Sequence, residues 1–516
     1  MAKSKKEENF KDQLWKACDK LRNNMDPAEY KYVVLGLVFL KYISDKFEAK
    51  NKQLIQEELE GGYEKGEISE DRDEYIAENI FWVPVSARWS EIVKQAKTPE
   101  IGKIIDDAMF EIEKENETLK NVLYKVFSNP NLDKGKLGEL IDIIGNINLV
   151  SKDDKKEDVL GQVYEFFLGK FANSEGKNGG QFYTPKSIVK TIVACLEPSN
   201  GRVYDPACGS GGMFVQSEKF VEDHRGQLGD ISIFGQESNG TTWKLCKMNL
   251  AIRGIEVDLG KEPADTFTNN QHSTKKMDYI MANPPFNVKD YWNESLAGDV
   301  RWKYGTPPEN NANYAWLQHM IHQLKPTGVA GIVLANGSLS SNTSTEGEIR
   351  KNMVDDDIVD CIIALPDKLF LTTGIPACIW ILNRNKSNPS HRERENETLF
   401  IDARDLGEMI DRKTREFKEE DIEKIAKTYH SWRNKDGEYE DEKGYSKSAK
   451  LEDIQKQDYI LTPGRYVGIK DEEDDGIPFE EKMQTLTKNL SEQFKKSAEL
   501  EAEIRKNLAS IGFEVK

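Results

Sequence analysis

Cysteine is scarce in this chain, six in 516 residues, and no two of the six stand in a C-x-x-C pair. That spacing argues against a zinc ribbon and for the reduced thiols of a cytoplasmic protein. Histidine is equally sparse; His319 and His322 could share a helix face, but no third ligand is evident and no metal site is expected. Long apolar runs are also missing. The longest, Val33 to Leu40, is broken by Gly36 and falls far short of the ~20 residues that span a bilayer. The lysines of the first ten residues have no apolar stretch behind them, so neither a secretory signal nor a membrane anchor is expected. Positive charge is in deficit, with a formal net charge of -18. A protein that grips DNA by its own surface is usually basic. Either nucleic acid is not the partner, or a local cleft or another subunit supplies the phosphate contacts.

Three catalytic signatures are absent too. No G-x-x-x-x-G-K-[ST] occurs, which excludes a P-loop. No Pro-Cys dipeptide occurs, which removes the usual nucleophile of cytosine C5 methylation, and Pro366-Asp367 is not followed by the E-x-K of a metal nuclease.

What is present divides into three parts, at ~150 residues per domain about what the length allows. Residues 1–145 read as a helical domain: Leu14, Leu21, Tyr32, Leu35, Val38, Phe39, Tyr42 and Ile43 recur near helical spacing, with a break at Pro27, and Asp106 to Val126 repeats the pattern. After the charged stretch Ser151 to Asp158, residues 155–470 alternate β-branched runs with helices. Strands are expected at Arg202–Asp205, Ile231–Gly235, Asp278–Ala282, Val329–Ala335, Ile358–Leu365, Ala377–Leu382 and Leu399–Asp402. Helices are expected at Lys186–Leu196, Asn239–Arg253, Tyr314–Leu324 and Glu346–Val354. This is the pattern of an α/β, doubly wound, mainly parallel sheet, here ending in an antiparallel hairpin. Residues 476–516 follow the acidic run Asp471 to Asp475 and form a helical tail. Its Met483, Leu486, Leu490, Phe494, Leu500, Ile504 and Ile511 make a narrow stripe that needs a partner.

The sharpest local feature is Asp205-Pro206-Ala207-Cys208-Gly209-Ser210-Gly211-Gly212, which follows an expected strand and opens a helix. Three glycines in four residues let a ligand approach the backbone. Phe214 stands where G-x-G-x-x-G would need its last glycine, and Asp205 would repel a pyrophosphate. A carboxylate there suits a cation such as the ammonium of a methionine moiety, and Glu237, at the next strand's end, can accept both ribose hydroxyls. The combination favours S-adenosylmethionine over NAD as cofactor. On this reading Gly211→Asp is expected to abolish cofactor binding without unfolding the chain.

The second feature is Asn283-Pro284-Pro285-Phe286 after Asp278–Ala282. The prolines fix the backbone. The Asn283 amide oxygen and the Pro284 carbonyl could accept both hydrogens of an exocyclic amino group, aiming its lone pair at a methyl donor. Phe286 would stack on the base, as flipped-base enzymes require. Adenine N6 and cytosine N4 both suit this arrangement. Between Asn287 and Asn313, Lys289, Tyr291, Trp292, Arg301, Trp302, Lys303 and Tyr304 mix basic and aromatic residues in a manner suited to holding an extruded base.

Gln181-Phe182-Tyr183-Thr184-Pro185, then DPACGSGG, then NPPF, in that order, resembles the amino-group DNA methyltransferases of the gamma arrangement. With the helical first part, the Leu461-Thr462-Pro463-Gly464-Arg465-Tyr466 segment and the tail, the chain resembles the modification subunit of a type I restriction-modification system. The resemblance implies a Rossmann-like S-adenosylmethionine-dependent fold and methylation of adenine N6 in DNA. It implies that Gln181, Phe182, Tyr183, Thr184, Pro185 and Lys186 pack over the cofactor, that Asp205, Gly209, Ser210, Gly211 and Gly212 form its loop, that Glu237 holds the ribose and that Asp265 reaches the cofactor's adenine. It also implies three partners besides DNA: a specificity subunit that reads the sequence, a second modification subunit, and a motor subunit for restriction and translocation. An acidic catalytic subunit is then tolerable. The rival readings are a stand-alone DNA or RNA amino methyltransferase and a non-catalytic assembly module that keeps the cofactor fold.

Overall fold

In the computed structural model the expected alternation forms a nine-stranded sheet. The structure describes residues 14–19, 26–146, 159–174, 184–224, 226–227, 229–370, 374–412, 414–469 and 479–510. The strands are β1 (Gly201–Asp205), β2 (Ile231–Gly235), β3 (Val257–Asp258), β4 (Met277–Ala282), β5 (Leu324–Ala335), β6 (Val359–Ala364), β7 (Ala377–Asn383), β8 (Glu397–Asp402) and, after a small hairpin of β9 (Glu408–Met409) and β10 (Arg415–Glu416), β11 (Ser446–Lys450). The sheet order is β11-β8-β6-β7-β5-β4-β1-β2-β3. β1 pairs in parallel with both β2 and β4, so the winding reverses between β1 and β4. In an open α/β sheet that is where a ligand crevice forms, outside the carboxyl ends of the strands.

The antiparallel pair forms, as β6 against β7, but it does not end the sheet. β7 inserts between β5 and β6, in register with β5 from Val329↔Asn383 to Ala335↔Ala377. Parallel β8 and antiparallel β11 carry the sheet on to its edge. The polar sequence of β11, Ser-Lys-Ser-Ala-Lys, gives no strand pattern because it is an edge strand. Every residue of β7 is buried, as a strand covered on both faces requires. Its alternate residues supply two cores: Ile379 and Ile381 enter one, Cys378, Trp380 and Leu382 the other.

The longer helices are α1 (Pro27–Gly61), α2 (Ile101–Glu115), α3 (Lys134–Gly145), α4 (Val159–Ser174), α5 (Lys186–Leu196), α6 (Gly212–Asp223), α7 (Gly240–Ala251), α8 (Asn313–Gln323), α9 (Glu346–Asp355), α10 (Glu419–Arg433) and α11 (Phe479–Ser510). Pro27 opens α1 rather than interrupting it, since the first turn needs no amide donor from it. The helix expected to reach Val126 stops at Glu115. There Asn116 turns extended and its side-chain amide donates to Trp82 O and Ile112 O. Leu21 and the stretch Ser151 to Asp158 lie outside the described residues.

α7 belongs to two cores at once. Trp243, Cys246 and Leu250 pack under the sheet, while Leu245, Met248 and the following Ile252 join the core of the amino-terminal helices. Two tyrosines seal the contact: Tyr42 Oη donates to Ile252 O and Tyr124 Oη to Thr241 O, each at 2.8 Å. These elements form one compact unit, Met1–Gly468. The second unit, Ile469–Lys516, contains α11, whose Met483, Leu486, Leu490, Phe494, Leu500 and Ile504 are all exposed. Ile511 and the acidic run Asp471 to Asp475 lie outside the described residues. No described helix is long and apolar enough to cross a membrane.

Candidate active site

The glycine loop leaves the end of β1, and backbone bonds to the end of β2 set its course. Gln236 N donates to Asp205 O and Cys208 N to Gln236 O, both at 3.0 Å. Gly209 and Gly211 have φ of +53° and +82°, a region where glycine carries no steric cost. The register that pairs Asp205 with Gly235 brings Asp205 and Glu237 to neighbouring strand ends. Asp205 is buried, and its Oδ1 accepts from Ala207 N at 2.9 Å. Burial pushes its carboxyl up to about 8; the nearby Glu237 charge adds to this and the Ala207 amide opposes it. Burial raises Glu237 as well, against the amides of Asn239 (2.8 Å) and Gly209 (3.1 Å) that donate to its carboxylate.

Thr184, Asp205, Gly209, Ser210, Gly212 and Asn283 line one small cavity. Lys186 and Gly212 line an adjoining one with Asn249 and Arg253. Pro185 is the N-cap of α5. Gln181, Phe182 and Tyr183 lie outside the described residues. Asp265 stands beside Glu237, because Ala264 N donates to Glu237 O at 3.0 Å; its Oδ1 accepts from the amides of Phe267 and Thr268. Thr266 Oγ1 pins this loop to Pro206 O at 2.6 Å.

Gly211 departs from the expectation. A Cβ there would stand 2.9 Å from Cys246 Sγ, turned into the core, whereas a Cβ on Gly212 meets nothing within 4 Å. Gly211→Asp therefore attacks the fold, and Gly212 is the glycine whose missing side chain leaves space in the cavity. Behind the loop, Asn249 Nδ2 of α7 donates to Ser210 O at 2.7 Å. Motif reading missed Asn249; its only sign in the sequence is a polar residue between the buried Met248 and Leu250.

At the end of β4, Asn283 Nδ2 donates to Thr184 Oγ1 at 3.0 Å, which fixes the amide and turns its oxygen the other way. That Oδ1 is buried and has no partner. A buried unpaired acceptor is costly, and a substrate donor is the natural way to satisfy it. Pro284 is buried, Pro285 and Phe286 partly so. Phe286 meets Phe370 edge to face, with ring centroids 5.6 Å apart and planes at 82°. Phe370, in the loop after β6, carries no motif and was not legible from sequence.

The basic and aromatic segment proves to be mostly packing. Tyr291, Trp302 and Tyr304 are buried with Phe267 and Trp316. Arg301 is buried and donates to Thr266 O, Phe267 O and the Asp299 carboxylate. Lys289 and Lys303 are exposed, but Lys303 pairs with Asp356. His319 is buried against Arg301 and Tyr204.

The N-6 DNA Methylase family model matches residues 155–475, and that of the HsdM N-terminal domain matches residues 10–144. The type I restriction enzyme HindI methylase subunit of Haemophilus influenzae is 54% identical, over 84% of this chain and 100% of that protein. The MjaIX methylase subunit of Methanocaldococcus jannaschii is 39% identical over 98% of this chain and 92% of its own length. Among solved structures, the type I restriction-modification methyltransferase subunit from Streptococcus thermophilus superposes with a TM-score of 0.73 at 25% identity, covering 89% of this chain and 99% of that one.

Two outcomes follow from the loop geometry. Gly212→Asp should fold normally and lose binding of a ligand in the cavity, whereas Gly211→Asp should lower the melting temperature sharply; calorimetry and thermal denaturation of the two variants check this. Asp205 returns to about 3.8 on unfolding, so between pH 4 and 8 the folded chain holds the extra proton. Stability of the ligand-free chain therefore falls as pH rises through that window. Asp205→Asn keeps an acceptor for Ala207 N and should flatten the slope, adding on the order of a few kcal/mol at pH 8. Denaturation of both proteins at pH 5 and pH 8 measures it.

Proposed function

The chain belongs to the N-6 DNA methylase family, among the methylase subunits of type I restriction enzymes, and on that footing we propose how its residues methylate the N6 amino group of adenine in DNA. The observation that carries the assignment is the unpaired, buried Asn283 Oδ1 beside the glycine-loop cavity.

The residues fit S-adenosylmethionine. Two carboxyls that burial holds above their usual range, with no described cation paired to either, suit a ligand bearing positive charge. Asp205 takes the ammonium, Glu237 the ribose hydroxyls and Asp265 the adenine of the cofactor. The backbone of Gly209, Ser210 and Gly212 lies against it, and Thr184, Pro185 and Lys186, with Gln181, Phe182 and Tyr183 before them, cover it. Bound there, the cofactor supplies an electrophilic methyl group on a sulfonium.

Asn283 Oδ1 and the Pro284 carbonyl accept the two hydrogens of the target amino group. Accepting both draws the nitrogen lone pair out of conjugation with the ring and directs it toward the cofactor cavity. Thr184 holds the Asn283 amide so that its oxygen, not its nitrogen, faces the base. Pro285 stiffens the turn, and Phe286 and Phe370 form the aromatic walls of the base pocket. Water is kept from the reacting nitrogen by the base filling that pocket.

The chain works in the cytoplasm as the modification subunit of a complex. A specificity subunit reads the DNA sequence, a second modification subunit completes the methyltransferase, and a motor subunit performs restriction. α11 is the contact for the specificity subunit: between Asp471 and Lys516 acidic residues outnumber basic ones twelve to seven. The partner is therefore a helix with an apolar seam and a basic flank.

Asn283→Ala and Phe286→Ala should each leave cofactor binding near that of the native chain while methyl transfer drops by roughly 10²–10³, the usual cost of one lost transition-state hydrogen bond. Tritiated-methyl transfer to DNA in the assembled complex, beside cofactor calorimetry, separates the two effects; near-native turnover contradicts the roles. Deleting residues 476–516 should leave a folded, cofactor-binding protein that no longer co-elutes with the specificity subunit in size-exclusion chromatography. An intact, active complex of the truncated chain shows that α11 is not the main contact.

A further inference from the structure

A second cavity, of about 480 Å³, opens at the other edge of the sheet, where β4 and β6 begin and β7 ends. That volume lies within the range of small-molecule sites, roughly 300–1,000 Å³. Four cations line it, Lys276, Arg301, Lys303 and Arg384, against a single carboxylate, Asp356. In a chain of net charge -18 this is a local inversion of sign.

The four cations are not equivalent. Arg301 is committed to Asp299 and to two backbone carbonyls. Lys303 is committed to Asp356, whose Oδ2 accepts from Lys303 Nζ at 2.7 Å and from Tyr304 Oη at 2.6 Å. Lys276 and Arg384 form no ion pair with a described carboxylate. Lys276 donates to His322 O, and Arg384 donates to Leu324 O at 3.0 Å. Both carbonyls belong to the carboxyl end of α8, whose dipole favours positive charge. That end accounts for a cation, but it leaves two like charges beside one open cavity with most of their donors unused. Burial lowers the pKa of Lys276, and the Arg384 charge lowers it further, so the two repel each other. An anion between them would relieve that repulsion and accept the remaining donors. Ile321, Ile358 and the strongly exposed Val300 give the cavity an apolar wall beside these charges. That wall leaves room for a flat ring next to the anion.

The cavity is separate from the base pocket. β4 rises about 3.3 Å per residue, so the seven steps from Lys276 to Asn283, across Met277 to Ala282, separate the two by roughly 23 Å along the strand. A DNA duplex presenting a base to Asn283 approaches the opposite edge. We propose that this cavity binds a small phosphate-bearing anion of the size of a nucleoside phosphate, held by Lys276 and Arg384.

The test uses the full-length chain and metal-free adenosine triphosphate and pyrophosphate, at ionic strength matched with sodium chloride. Calorimetric titration should show saturable binding of both anions. Lys276→Gln with Arg384→Gln keeps donors for the two backbone carbonyls and should weaken that binding at least tenfold, with methyl transfer unchanged. Asp356→Asn removes the one lining carboxylate and releases Lys303; it should tighten binding several-fold, a change in a direction that misfolding does not produce. Absence of binding beyond the chloride control, equal affinity in the double variant, or weaker binding in Asp356→Asn overturns the proposal. So does a double variant that loses affinity for duplex DNA while neither anion binds the native chain, since the cations would then serve the DNA backbone.

Discussion

Two acidic side chains share one end of this sheet with no described cation paired to either, and the rest of the site is arranged around that pair. Taking a carboxylate out of water is costly unless a partner is near. Asp205 has one backbone amide, and Glu237 has amides on either side, but no described cation pairs with either, and burial keeps a proton on Asp205 until a cation displaces it. The glycine loop bends round this pair because Gly209 and Gly211 can take positive φ, and Thr266 and Asn249 hold the bend from two sides. A rigid, desolvated pair of carboxyls, one of which gives up its proton when a cation arrives, is pre-shaped for a positive ligand. The same cradle would reject a pyrophosphate, which is why the carboxylate after β1 discriminates between cofactor classes better than the glycine count does.

Much of this was legible because it is local. Helix α5 has the expected bounds, Lys186–Leu196, since its apolar spacing and the preceding proline act over a few residues. DPACGSGG and NPPF stand at the carboxyl ends of β1 and β4, where glycine and proline chemistry placed them. What was not legible depends on distant partners. Nothing within β7 says that it will slide between β5 and β6, because each neighbour supplies only half of the reason. Tyr291, Trp302 and Tyr304 look like a base-holding surface until Phe267 and Trp316 are seen to bury them. Gly211 and Gly212 are adjacent and chemically identical, yet one faces the core and the other the cavity, a difference set by Cys246 on α7. Phe370 reaches Phe286 from a separate loop, and no spacing rule links residues 84 positions apart.

The charge balance makes sense as a division of labour. A chain that read its own DNA sequence would need broad basic surface, and this one spends its exposed residues otherwise. Most of its arginines and lysines with described partners serve internal ties, such as Arg394 with the buried Asp360 or Arg433 with Glu197. α11 offers an exposed apolar stripe in which acidic and basic residues balance, not a basic surface. On the proposed function, contact with nucleic acid falls at the carboxyl edge of the sheet, and selection of the site is left to another polypeptide.

The double membership of α7 bears on how such a protein can be cut or recombined. Sequence texture changes sharply near residue 150, which invites treating the sheet-bearing part as a detachable cassette. The helix that lends Trp243 and Cys246 to the sheet also lends Leu245, Met248 and Ile252 to the first part, and Tyr42 and Tyr124 are bonded to its backbone. A cassette without the amino-terminal helices would carry a bare greasy wall on the helix that steadies Ser210. The two halves are therefore one inheritance: a graft that swaps the first part must bring its own match to that wall, or the loop behind it goes slack.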